Sequence, residues 1–198
     1  MIKPPWGWSW TILLVVLVSG CGLQSIPESN NDVDASFAEI TNQYKRRADL
    51  IPNLVKVVKG YATHERETLV GVAEARAKAT SVQIDPSHVT PEALAKFTQA
   101  QGMLSQALGR LMMVTEKYPD LKANENFQAL QAQLEGTENR ITVARNRYIK
   151  SVQEFNNLVT VPFTSITNMF VYHYTKKPQY SLDETEGKAV EKAPELNI

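Results

Sequence analysis

The sequence predicts an all-α fold: an elongated antiparallel bundle of three long helices, with a short fourth helix and a disordered C-terminal tail. Two observations carry the class. Through three long stretches, apolar residues recur at spacings of three and four, the signature of one helical face, and no alternating run long enough for a strand occurs anywhere. A third bounds its size. With 198 residues, 43% of them hydrophobic and 21% charged, the chain has material for one folded domain with appendages and is not a disordered polymer.

The first helical stretch begins at Asp32, where Val33, Phe37, Ile40, Tyr44, Ala48, Ile51, Leu54, Val58, Tyr61, Leu69, Val72 and Ala75 share a face. The series runs to about "TSVQIDPS", so one helix of roughly 50 residues, about 75 Å long, is expected. Pro52 lacks an amide proton and crowds the preceding turn, so a kink or break is expected near Leu50, with Gly60 loosening the helix again. The second helix has a clear start: Thr90 as N-cap, Pro91 in the first helical position and Glu92 near the positive end. Its seam runs Leu94, Phe97, Gln101, Leu104, Leu108, Leu111, Thr115 and Tyr118, and Pro119 ends it. The third helix, from about Asn124 to Thr160, is the most regular. Phe127, Leu134, Ile141, Tyr148 and Phe155 form one heptad row, and Leu130, Thr137, Ala144, Ser151 and Leu158 the other. "VPFTSITNMFVYHY" is the short fourth helix, expected to set Phe163, Ile166, Phe170 and Val171 against a bundle end. Residues 175–198 are polar and expected to be disordered.

Ahead of this body, residues 1–20 read as a signal peptide: Lys3, an apolar run from about Trp8 to Val18, then small residues before Cys21, the only cysteine. "VSGC" resembles the bacterial lipobox. That reading puts a diacylglycerol on the Cys21 thiol, cleavage before it, and acylation of the new amino terminus. Three chains hold firmly, since each buried methylene contributes about 0.8 kcal/mol. Two other readings stand beside it: an uncleaved N-terminal membrane anchor, and an ordinary secretory signal. As a span the run is short, about 25 Å of helix against a hydrocarbon core of about 30 Å. Lys3 before the run and Glu28, Asp32 and Asp34 after it place the body on the extracytoplasmic side. Gly22 favours the outer membrane where a cell has two. Residues 21–31 are expected to be a polar tether, and 32–174 the domain. A single cysteine excludes an internal disulfide.

Chemistry is sparse. Basic and acidic residues balance, 21 against 21, so nothing draws the chain to nucleic acid. His64, His88 and His173 lie on separate elements without metal-ligand spacing. There is no phosphate loop, nucleophile elbow or Glu-x-x-His pair, and Met103, Met112 and Met113 are expected to be core filler. No catalytic residue, metal or cofactor is expected. Charge does gather near the seams. Arg46, Arg47 and Asp49 precede Pro52, and Arg140, Arg145 and Arg147 follow Glu138. These are either solvated faces with weak pairs, or arginines that pair with Asp49 or Glu138 across helices and fix register.

The stretches "YKRRADLIPNLVKVVKGYATHE", "VAEARAKA", "FQALQAQLEGTENRITVARNRY" and "FNNLVTVPFTSITNMF" resemble, in order and spacing, the LemA family, over roughly residues 32–183. The resemblance implies a membrane-anchored protein with an elongated antiparallel helical domain and no established catalytic residues. Matching positions are Arg47, Asp49, Pro52, Asn53, Leu54, Tyr61, Glu65, Ala75, Arg76, Glu138, Asn139, Arg140, Ile141, Ala144, Arg145, Tyr148, Asn156 and Pro162. Departures are Ile149 after Tyr148 and Phe155 before Asn156, where many members have Tyr-Asn at both places. From charge and resemblance together, the candidates for partner contact or register are Arg47, Asp49, Asn53, Tyr61, Glu138, Arg140, Arg145 and Tyr148. The expected function is a non-enzymatic, lipid-anchored scaffold that meets an envelope protein partner. The alternative is a ligand-sensing bundle in which Arg47 or Arg145 holds an anionic group in a gap at Pro52. A hydrolase with an unrecognised site is the third.

Overall fold

A computed structural model describes residues 6–180, with side chains from Gln24 onward apart from Phe163. Residues 1–5 of the expected signal peptide, the Cys21 side chain and residues 181–198 of the expected tail lie outside the described residues. The described chain is all helix and turn: α1 (Trp6–Tyr61), α2 (Arg66–Ser81), α3 (Pro91–Thr115), α4 (Pro119–Lys122), α5 (Glu125–Thr160) and α6 (Pro162–Thr167), with a 3-10 turn at Pro86–His88 and a π turn at Asn168–Tyr172. The expected all-α antiparallel bundle is what forms, with one difference in its elements. The first long stretch divides into α1 and α2, which fold into a hairpin, so four helices run up, down, up and down.

The division falls at residues 62–65, not at Pro52. Pro52 sits within α1 without ending it. Its missing amide leaves the Ala48 carbonyl without the usual helical donor, and Arg76 of α2 supplies one, Nε donating to Ala48 O at 2.8 Å. A neighbouring helix thus repairs the ladder at the proline. The break comes about two and a half turns later, after Gly60 and Tyr61, where Ala62 turns inward and is fully buried. Starts and stops elsewhere follow local chemistry. Thr90 Oγ1 accepts from Ala93 N at 3.1 Å, and Asn124 Oδ1 accepts from Phe127 N at 3.1 Å, each satisfying an orphan amide of a first turn.

Two apolar clusters fill the bundle. The distal one gathers Ile51, Leu54, Val58, Leu69, Val72, Leu104, Leu111 and Phe127 from all four long helices, with Leu121 of α4. The proximal one gathers Phe37, Ile40, Tyr44, Phe97, Ile141, Tyr148, Val152 and Phe155, and reaches Ile26. Residues 22–31, expected as a tether, continue α1 without a break, and Ile26 and Val33 are fully buried. A helix buries an apolar stripe where it has a partner, and here α5 and α6 lie alongside.

Beyond the ends of α2 and α3 the proximal half keeps only α1 and α5 as long helices. The chain after α6 completes it. At His173 the backbone turns through a left-handed conformation, φ 58°, and residues 174–180 return along the bundle as a strap. This corrects the expectation of disorder for 175–180. Tyr174 meets Phe155 edge-on at 5.7 Å between ring centroids, and Tyr180 meets Tyr148 at 6.1 Å. The expected packing of the short fourth helix is corrected too. Asn168 is buried, while Ile166, Phe170 and Val171 are exposed, because α6 passes into a π turn that gives the inward face to the asparagine.

Candidate functional site

Between the two apolar clusters lies a polar layer, built at one level by three helices. On α1 it falls between Tyr44 and Ile51, on α3 between Phe97 and Leu108, on α5 between Leu134 and Ile141. Arg47 is its centre, 2% exposed. Its Nη1 donates to Glu138 Oε2 at 2.9 Å and to Ser105 Oγ at 3.0 Å; its Nη2 donates to Gln101 Oε1 at 2.9 Å and to Gln101 O at 3.3 Å. Gln101 in turn donates through Nε2 to Ala79 O at 3.3 Å, which ties the end of α2 into the layer. Thus four helices share one network. A shift of any helix by one turn removes Arg47 from its partners, which is how such a layer fixes register.

A second arginine extends it toward the proximal end. Arg145 donates through Nε to Tyr44 Oη at 2.9 Å, and its Nη2 also reaches that oxygen. The Tyr44 ring carries Arg47 at 5.0 Å and Arg145 at 5.7 Å from its centroid, and Arg145 lies 5.1 Å from the Tyr180 centroid. Burial, then the neighbouring Tyr180 phenol, pushes the Tyr44 hydroxyl well above the ordinary tyrosine value, against the opposing pull of Arg145. Tyr148 is pushed up likewise by burial, then by Tyr180 and Asp34.

The strap is clamped by two asparagines. Asn156 Nδ2 donates to Lys177 O at 3.0 Å while Oδ1 accepts from Lys177 N at 2.8 Å. Asn168 does the same with Tyr174, both contacts at 2.9 Å. Each amide side chain therefore reads both polar groups of one backbone residue, as a neighbouring strand would. Tyr148 Oη donates to Pro178 O at 3.0 Å, and Lys177 Nζ meets Asp34 at 2.6 Å, both half sheltered.

The structure brings together Arg47, Glu138, Arg145 and Tyr148 of the eight candidates. It scatters the rest. Asp49 is exposed on a cleft of about 470 Å³ beside Lys45 and Thr80 and joins no ion pair among the described residues. Of the two carboxylates expected to pair with an arginine across helices, Glu138 does so, with Arg47, and Asp49 does not. Asn53 and Tyr61 line an open groove of about 620 Å³ between α1 and α5, where the Tyr61 hydroxyl accepts from Asn124 Nδ2 at 3.0 Å. Arg140 is exposed. Arg147, outside the eight, forms a two-contact pair with Glu39 at 2.9 and 3.0 Å. The sequence reading missed Gln101 and Ser105 as partners. The signal available was Gln101 itself, an amide in an apolar seam. Both Nη groups of Arg47 are engaged by protein partners, each twice.

One cluster imitates a catalytic triad. Asp85, Ser87 and His88 touch on the 3-10 turn: Ser87 Oγ lies 2.7 Å from Asp85 Oδ1 and 2.8 Å from His88 Nδ1. In a triad the imidazole stands between carboxylate and hydroxyl, using both ring nitrogens. Here the serine stands in the middle and only Nδ1 is engaged. The Asp85 carboxyl is held below its ordinary range by the Ser87 hydroxyl and amide, as in any capped turn. Among the described residues no group of three potential ligands is arranged for a metal ion, and no helix is long and apolar enough to cross a membrane.

The geometry defines a class, an antiparallel helical bundle whose buried polar residues bond one another across helices. Comparison with known proteins makes it specific. The LemA family model matches residues 36–196. Protein LemA of Metamycoplasma hominis is 21% identical over 163 residues, covering 79% of this chain and 71% of that protein. The chain belongs to the LemA family.

Proposed function

We propose that the chain is a membrane-anchored, non-enzymatic helical scaffold: lipid on Cys21 holds it at the envelope, the body stands on the extracytoplasmic side, and an envelope protein binds its outer helical faces. In a two-membrane cell, Gly22 directs it to the outer membrane. The observation that carries this reading is the direction of the polar residues. Arg47, Glu138, Arg145 and Tyr148 are spent on holding helices and strap to one another, which leaves the outward faces for contact and builds a stiff body rather than a reaction site. The apolar run before Cys21 supports this as the leader that is cut away when Cys21 takes its lipid. Residue 47 is an internal support here, not a contact residue, so partner-blocking substitutions belong on outer positions such as Arg140 and Asp49.

Intact mass of the chain extracted from membranes tests the anchor. Loss of residues 1–20 with acyl chains on Cys21 is expected; residue 1 retained without lipid overturns the lipid anchor and leaves the uncleaved anchor. The ligand-sensing alternative predicts a rise in melting temperature with anionic metabolites or lipids. The scaffold reading predicts none.

A further inference from the structure

The side chains after α5 do something the bundle does not need. Ile166, Met169 and Phe170 stand at spacings of three and one, on a single helical face, and are 59%, 67% and 75% exposed; Val161 and Val171 beside them are 47% and 52% exposed. Among the described residues these are the most exposed large apolar side chains at the proximal end. Their place in the fold gives the occupant. Thr164 and Val161 line a groove with Ser25, Glu28 and Ser29 of α1, so the patch sits at the level of residue 25. From Ser25 back to Cys21 is four residues, about 6 Å along a helix, and to Val18, the end of the apolar run, seven residues, about 10 Å. The polar interface of a bilayer is about 5–8 Å deep on each side. With the chain held by lipid on Cys21, the exposed residues arrive at the depth where amphipathic helices bury an apolar face.

Resting on the membrane-anchored reading, we propose that the α6 and π-turn face of Ile166, Met169 and Phe170 is a second membrane contact, which inserts among lipid headgroups and acyl chains and fixes the tilt of the bundle. Insertion is apolar rather than electrostatic, because the adjoining groove carries Glu28, Asp32 and Glu154 and repels anionic headgroups. The buried Asn168, bonded to Tyr174, anchors the face from behind, so the strap and the membrane contact share one support.

The test places a photoreactive group in the full chain in intact cells: Phe170→p-benzoylphenylalanine, with Met113→p-benzoylphenylalanine as the control. Met113, like Met103, is exposed rather than the core filler expected; at 66% exposed it lies near the end of α3, at the distal end of the bundle. After irradiation, membranes are sedimented and the labelled peptides are weighed. Lipid adducts at 170 and their loss at 113 are expected. Adducts to another protein or to a second copy at 170, or no adduct there, in chains that sediment with membranes overturn this inference and leave the anchor standing. A chain that fails to sediment removes the anchor and the inference with it.

Discussion

Replacing Arg47 separates two things a buried arginine does, filling space and satisfying acceptors. Arg47→Ala removes two stem methylenes, γ and δ, from the layer, about 1.6 kcal/mol at roughly 0.8 per methylene, and strands the buried Gln101 Oε1, at about 1–3 kcal/mol. Relief from holding a guanidinium out of water offsets part of this. The net is about 3 kcal/mol. Arg47→Met keeps most of the volume, so it costs about the same 1–3 kcal/mol for Gln101, less the same relief, and lacks the methylene loss. Glu138→Gln keeps an acceptor, and the Glu138 side chain is 54% exposed, so screening by solvent holds its cost below about 1 kcal/mol. The expected order is Arg47→Ala, Arg47→Met, Glu138→Gln. Urea unfolding followed by circular dichroism of the full chain in detergent reads all three. For a chain of this size about 3 kcal/mol lowers the melting temperature by roughly 6–12 °C. Arg47→Ala within about 0.5 kcal/mol of the parent, or Glu138→Gln as costly as Arg47→Ala, refutes the reasoning: the first would mean the layer holds nothing, the second that the ion pair alone does.

Other outcomes follow from the same contacts. Arg76→Ala should cost about 1–3 kcal/mol by orphaning the Ala48 carbonyl, and less in a Pro52→Ala background, where residue 52 regains its amide; equal costs in the two backgrounds would show that Arg76 does not serve the proline. Asn156→Ala should speed amide exchange and proteolysis across residues 174–180 while the melting of α1 and α3 changes little, and unchanged exchange would sink the clamp. Gly136→Ala should stabilise by up to about 1 kcal/mol, since an added Cβ meets nothing within 4 Å; destabilisation in urea would contradict this. Tyr44 and Tyr148 ionise in the unfolded chain near the ordinary 10.0 and later in the folded one, so their contribution is whole below that pH and is lost as pH rises beyond it. Tyrosinate absorbance and helical content should therefore change together at high pH, whereas full ionisation with the helices intact would be contrary.

Periodicity made the seams legible because burial follows the apolar stripe: the row from Phe127 to Phe155 is buried throughout. It did not show the hairpin between α1 and α2, since Leu69, Val72 and Ala75 keep the same spacing whether the helix continues or turns back. Proline was misleading for a physical reason. Its cost lies in a lost donor, and Arg76, 24 positions away, restores one. Nor does composition reveal the strap. "TKKPQY" is polar, and its order comes from Asn156 and Asn168 reading its backbone, which no side-chain pattern announces. The arginine layer was half visible: Arg47 and Glu138 were candidates by charge, while Asp49, two residues from Arg47, points to the other side of α1.

Cross-linking in intact cells, followed by detergent purification of the full-length chain and mass spectrometry of what is attached, tests the scaffold reading most directly. The account predicts a reproducible protein partner linked to outward positions of the long helices and weakened by substitutions there. Recovery of self-links alone, or of no protein at all, would contradict it.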